Sequence, residues 1–216
     1  MTAKTQFTYL FDPLCGWCYA AAPAIRKMSE TETVQLTMMP TGLFAAPRPV
    51  ATIADHAYAN DIRIQELTGQ RFSDAYHTGV MRAPNGMFSS LPLTRALVAL
   101  GQVGPALEPR FLHAAQIARY VEGHDTSRTD IVARIAARIA GGAVAEADLA
   151  AAIDNDPALA AETDRRIVEG QRAMQSLGLR GVPQLVIRDA QRTRVVDGQT
   201  LYAGGDAVLA ALDETV

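Results

Sequence analysis

The sequence predicts an α/β fold in the order β-α-β, a long helical segment, then β-β-α. Three observations predict it. An aromatic, apolar run at 6–11 is followed by an alanine-rich stretch and a second, alternating apolar run at 33–39. From about 45 to 177 the apolar residues recur at helical spacing. Two short apolar runs, 184–188 and 193–197, then stand either side of turn residues and precede a last amphipathic stretch.

The first strand, Gln6-Phe7-Thr8-Tyr9-Leu10-Phe11, is closed by Pro13, which has no ladder hydrogen bond to give. A helix follows from near Leu14, and Pro23 inside it predicts a kink. In the second strand Val34, Leu36 and Met38 alternate, and Pro40-Thr41-Gly42 ends it. This β-α-β opening implies a parallel pair with a right-handed crossover.

Helical patterns then dominate. One helix spans 52–68 and stops at Gly69; 72–80 is less regular; Arg82-Ala83-Pro84-Asn85-Gly86 reads as a loop. Helices at 92–101 and 108–121 show apolar residues at Leu93, Leu97 and Leu100, then at Phe111, Ala115, Ala118 and Val121. Ser127-Arg128-Thr129-Asp130 has the form of a capping box before a helix carrying Ile131, Ile135 and Ile139, which Gly141-Gly142 ends. A short helix at 146–153 follows. Asp156-Pro157 is a good helix start for a long helix ending at Gly178. A turn near Asp189-Ala190-Gln191 joins the last two strands, and Val208, Leu209 and Leu212 form the apolar face of the final helix. Two strands in direct succession imply an antiparallel edge on an otherwise parallel sheet. The expected division is a core from 1–44 and 178–216 and a helical insertion from 45–177.

At 216 residues and 49% hydrophobic content, the chain suits one domain, or one domain carrying a large insertion. A net charge of -3 gives neither a basic footprint for nucleic acid nor a polybasic membrane patch. No apolar run approaches a membrane span, and the N-terminus lacks a signal-like apolar region, so a cytoplasmic location is expected unless a signal was removed earlier.

Chemistry concentrates in Asp12-Pro13-Leu14-Cys15-Gly16-Trp17-Cys18-Tyr19, which holds both cysteines of the chain. At a strand-to-helix junction Cys15 meets the unpaired N–H groups of the helix start, which favour a thiolate over a thiol. Cys18 lies about one turn further on, within disulfide reach. A dithiol of this kind attacks a disulfide through Cys15 and releases the product when Cys18 closes the ring. Half of a zinc site is the competing reading, but His56, His77, His113 and His124 lack a ligand spacing and no further cysteine exists, so no metal is expected. A purely structural disulfide across so short a loop would constrain the unfolded chain little. Two cysteines in one motif also fit a reducing compartment.

The order of elements, Cys15-Gly16-Trp17-Cys18, the kinking Pro23, and Arg180-Gly181-Val182-Pro183 together resemble the thioredoxin fold. The insertion and Val182 resemble its bacterial DsbA-type branch. Asp12-Pro13, Trp17, Tyr19 and Tyr120-Val121-Glu122-Gly123-His124-Asp125 are most similar to cytoplasmic DsbA-like proteins described as FrnE-like or as predicted protein-disulfide isomerases. The resemblance implies a cis Pro183 beside the dithiol. It also implies main-chain alignment of an extended substrate by Val182 and Pro183. Trp17 and Tyr19 offer an aromatic rim, with core packing as the alternative for Tyr19. The expected substrate is a disulfide- or thiol-containing protein or small molecule. The redox group is the cysteine pair itself, glutathione is a candidate co-substrate, and the oligomeric state is open.

Two departures carry consequences. The family buries a carboxylate on the first strand six residues before the first cysteine, where this chain has Tyr9. Proton transfer at Cys18 must then use water, Asp12 or another group, and Asp12 is equally a turn residue. The family's oxidants carry histidine between the cysteines, where this chain has Gly16-Trp17. The thiolate loses a partner, and a potential less oxidising than DsbA follows. Two other functions stay open: a glutathione-dependent transferase or isomerase of the kappa type, and a non-enzymatic binding module.

Overall fold

The structure is a computed structural model that describes residues 5–188 and 192–213. β1 (Thr5–Phe11) leads into α1 (Gly16–Ala20) and α2 (Ala22–Glu30), with the break at Ala21. Pro23 causes it: without an N–H it cannot donate to the Tyr19 carbonyl, four residues back. That carbonyl instead accepts from Gln70 Nε2 at 2.8 Å. The kink thus becomes an attachment point for the insertion.

β2 (Val34–Pro40) returns parallel to β1, from Thr5 opposite Val34 to Phe11 opposite Pro40. The insertion then begins with β3 (Arg48–Pro49), a 3-10 turn at Val50–Thr52 and α3 (Ala54–Thr68). A π-helical turn at Ala75–Val80 and β4 (Met87–Phe88) follow. α4 (Leu91–Val103), α5 (Leu107–Tyr120), α6 (Thr129–Ala140), α7 (Glu146–Asn155) and α8 (Pro157–Ser176) complete it. The insertion is helical apart from the two-residue pairing of β3 with β4. Asp156 caps α8 as its sequence implies, accepting from Ala158 N and Leu159 N. The capping box before α6 does not form. Arg128 is the N-cap, and Ser127 Oγ instead accepts from the backbone of Ser89. Asp130 is taken by an ion pair with Arg128 at 2.9 Å.

The core closes with β5 (Gln184–Arg188), β6 (Thr193–Val196), α9 (Gly198–Tyr202) and α10 (Gly205–Asp213). The short α9 has no counterpart in the periodicity. The expected turn at 189–191 and the side chain of Leu212 lie outside the described residues. The sheet order is β2-β1-β5-β6. The expectation of a mostly parallel sheet needs correction: β5 is antiparallel to both β1 and β6, so only β1 and β2 run parallel. β5 starts beside the end of β1, with Gln184 opposite Leu10, and so must run back along it. The same geometry brings the residues just before β5 next to the residues just after β1, which are the cysteines.

Phe7, Tyr9, Leu10 and Phe11 of the central strand are fully buried. Each such side chain contributes roughly 1.5–3 kcal/mol of transfer free energy. α8 closes over β2, where Gly170 allows the approach: a Cβ there would lie 2.3 Å from the Pro40 carbonyl oxygen. Arg166 of α8 holds the buried Glu108 of α5 through two bonds of 2.7 and 2.8 Å, and also donates to the Met38 carbonyl.

Candidate active site

Cys15 is the N-cap of α1, with extended backbone (φ -76, ψ 118) and no side-chain cap. Its carbonyl accepts from Cys18 N and Tyr19 N, so the two cysteines stand at the two ends of one tight turn. Both are free thiols. Cys15 retains 7% of its surface, whereas Cys18 has none. Burial, followed by the hydrogen bond and charge of Cys15, pushes the Cys18 thiol well above its ordinary pKa. Cys18 therefore keeps its proton until something removes it.

The Val182–Pro183 peptide is cis. The Cys15 thiol lies 3.6 Å from the Val182 carbonyl oxygen, to which it donates. The structure thus brings Cys15, Cys18, Val182 and Pro183 together from distant parts of the sequence.

Trp17 is half-buried, its indole N–H donating to Asn60 Oδ1 at 3.0 Å and its ring 5.3 Å from that of Tyr202. It lines a cleft of about 80 Å³ with Cys15, Ile53, Asn60, Asp61 and Phe88. Tyr19 is packed inward, the alternative to a rim position that the sequence left open. It is 1% exposed, stacks on Tyr120 at 4.8 Å, and donates its hydroxyl to the Arg71 carbonyl. Its position one residue into the kink points it at the insertion core.

Asp12 is held in place as a turn residue. Its carboxylate is fully buried and already accepts from Leu14 N, Phe44 N and Ser90 Oγ, each at 2.9 Å. Burial raises its pKa, and these three donors oppose the rise. It is the turn residue that the sequence also allowed, extended into a tie between the active-site loop and the insertion. Tyr9, in place of the strand carboxylate, donates to the Cys18 carbonyl at 3.2 Å. Burial, then the charges of both cysteines, hold its own pKa well above the usual value.

Residue-by-residue reading missed a polar cluster under the cleft. Asp61 of α3 is 3% exposed, and a Cβ at Gly16 would lie 3.2 Å from its Oδ1. Burial raises its pKa to about 7, opposed by the Arg119 charge and a hydrogen bond from Tyr76. Its Oδ2 lies 3.2 Å from His77 Nε2. Burial lowers the pKa of His77, so the pair is better described as a neutral hydrogen bond than as an ion pair near pH 7. Arg119, 1% exposed, stacks over Tyr76 and Phe88 at 5.5 and 5.2 Å. Nothing in the spacing of these residues announced the cluster. The π-helical turn, which aims Tyr76 and His77 inward, creates it.

A fully buried thiol and a slightly exposed thiol in one helical turn, next to a cis-proline loop, form the arrangement that thiol–disulfide exchange requires. The model of the family described as DSBA-like thioredoxin domain matches residues 8–204. The chain belongs to that family and is a DsbA-like thiol–disulfide oxidoreductase, whose redox group is its cysteine pair. It is similar in structure to the cytosolic disulfide reductase DsbM from Pseudomonas aeruginosa. TM-score is 0.84 at 27% identity, with 97% of each chain covered. A second structure of DsbM, with GSH, gives 0.81 at 28% identity, covering 97% of this chain and 98% of that one. A Nitrosomonas europaea protein provisionally assigned as a protein disulfide isomerase gives 0.73 at 21%, covering 98% and 97%, and supports the fold alone. No curated protein sequence matches. Among the described residues, no helix is long and apolar enough to cross a membrane.

Proposed function

We propose that this chain is a cytoplasmic disulfide reductase in which Cys15 is the nucleophile and Cys18 the resolving thiol. One observation carries the assignment of roles: Cys15, at an uncapped helix start and facing the Val182 carbonyl, keeps a small exposed surface, while Cys18 keeps none. The Cys15 thiolate attacks a substrate disulfide, forming a mixed disulfide and releasing one substrate thiol. Cys18 then attacks the Cys15 sulfur, the mixed disulfide breaks, and the second substrate thiol leaves. The substrate gains two electrons and the enzyme becomes the Cys15–Cys18 disulfide. Attack within one turn has the advantage of high effective concentration.

Val182 and Pro183 border the sulfur and would align an extended substrate chain along the loop, with Trp17 forming the opposite wall. The helical segment 45–177 acts in this reading as a unit that roofs the dithiol borne by 1–44 and 178–216. The reducing direction is supported by the missing histidine between the cysteines and by the likeness to DsbM. The DsbM structure with GSH supports glutathione as the thiol that regenerates the dithiol. A transferase of the kappa type needs no second sulfur, so a fully buried Cys18 in the same turn as Cys15 favours exchange.

The test is the equilibrium of the Cys15–Cys18 pair against glutathione buffers. A potential on the reducing side of about -200 mV is expected, far from the roughly -120 mV of DsbA. A value near that of DsbA would make the chain an oxidant and overturn the proposed direction.

A further inference from the structure

Cys18 must lose its proton to attack, yet it is sealed, its pKa is raised, and the carboxylates near it are absent or engaged. Tyr9 replaces the strand carboxylate, and Asp12 already accepts from three donors. The structure offers another exit. Next to Cys18 lies a gap of about 10 Å³ lined by Tyr9, Cys18, Arg26, His113 and Gln116, and not by Cys15. That volume is roughly what one water molecule requires.

Two polar atoms at this gap are buried without any protein partner: His113 Nδ1 and Gln116 Nε2. Gln116 is only 2% exposed. Buried polar groups are rarely left unpaired, because each costs roughly 1–3 kcal/mol. A water between them resolves both. Such a water would accept from Gln116 Nε2 and donate to His113 Nδ1, with a second lone pair left for the Cys18 thiol.

We propose that His113, on α5 of the insertion, is the proton acceptor for the resolving cysteine, acting through one water held by Gln116. The inference rests on the assignment of Cys18 as the resolving thiol. In the step, the Cys18 proton passes to the water as the water gives its own proton to His113 Nδ1. The Cys18 thiolate forms a bond to Cys15 Sγ, the bond from Cys15 to the substrate sulfur breaks, and that sulfur leaves as a thiolate. His113 then returns its proton to solvent past Arg26, which is exposed at the mouth of the gap.

The surroundings keep His113 ready to accept. Burial lowers its pKa below the ordinary 6.5, the Arg26 charge on α2 lowers it further, and Glu30 on the same helix opposes. The other titratable groups at the gap are Tyr9 of β1 and Cys18 of α1. His113 is therefore neutral near pH 7, and loses its capacity as pH falls through its depressed pKa.

Reaction of the reduced full-length protein with 5,5′-dithiobis(2-nitrobenzoate) separates the two steps. Attack by Cys15 releases the first thionitrobenzoate, and resolution by Cys18 releases the second. His113→Gln should leave the first phase unchanged and slow the second by roughly tenfold or more, within the range of general base catalysis. The second phase of the wild type should fall with an inflection below pH 6.5 that the variant lacks, and added imidazole should partly restore the variant. Gln116→Met, which retains the bulk and removes the donor, should slow the second phase while keeping the inflection. A second phase of unchanged rate and pH profile in His113→Gln would overturn the inference. Loss of the two-phase release from the wild type would instead overturn the roles of the cysteines.

Discussion

The hydroxyl of Tyr120 donates to the carbonyl of Leu14 at 2.9 Å, across a separation of 106 residues. The last residue of α5 thereby fixes the peptide immediately before the nucleophile. Tyr120 is itself wedged between Tyr19, Phe72 and Tyr76, with ring centroids 4.8–5.1 Å apart. Tyr120→Phe keeps the wedge and removes the donor, leaving a buried carbonyl unsatisfied. A loss of about 1–3 kcal/mol is expected. Urea unfolding with the pair reduced would measure it; an unchanged midpoint would mean that water or another group satisfies Leu14.

The two cysteines should separate in a trapping experiment. Cys18→Ala, given an oxidised protein, should accumulate a covalent adduct through Cys15 on a non-reducing gel. Cys15→Ala should form little adduct and lose nearly all reductase activity toward insulin. Both should fold, since closing so short a loop adds little chain-entropy stabilisation. Equal adducts from both variants would sink the assigned roles.

Asp61 should make stability pH-dependent. Its folded pKa, about 7, stands above the unfolded value of 3.8. The folded state thus binds more protons, and this contribution is complete below about pH 4 and lost as pH rises through 7. A rise of this size corresponds to at most about 4 kcal/mol of destabilisation when the carboxylate ionises. Asp61→Asn should therefore gain stability over the wild type between about pH 4 and 7, by an amount that grows with pH and levels off above that. Parallel urea midpoints for the two proteins over that range would contradict it.

Asp12→Ala removes one acceptor from three buried donors. A loss of about 2–4 kcal/mol is expected, because two of the donors are backbone amides with no obvious replacement. The low-pH inflection of the resolving step should persist. If it disappeared with a stable fold, Asp12 would have to be returned to proton transfer.

Trp17 is the only tryptophan, so its emission reports on the reactive turn directly. Asn60→Ala should release the indole N–H to water and shift emission to longer wavelength. Identical spectra for variant and wild type would show that Asn60 does not hold the ring in solution.

Much of this architecture was readable from sequence because it rests on local chemistry. The Pro23 kink, the Asp156 cap and the helix stop at Gly141, with φ +62, each follow from one or two residues. The sequence also isolated the cysteines and Pro183. Partner choice was less accessible. Whether Asp12 caps its own turn or carries protons depends on Phe44 and Ser90, which only the fold brings to it. Tyr19 looked free because aromatic character says nothing of direction, and the one-residue offset of the kink decides that it points inward. The direction of β5 depended on where the insertion returns the chain, a long-range property that strand alternation does not encode.

The closure of α8 over β2 has a consequence for the free border of the sheet. β2 is a terminal strand of the sheet, and its outward backbone would otherwise be a template for any extended polypeptide. Arg166 occupies the Met38 carbonyl and Gln171 the Thr41 carbonyl just beyond the strand, at 3.0 Å. The C-terminal end of this border is thereby occupied by α8, while Gln35 and Thr37 nearer its start stay exposed.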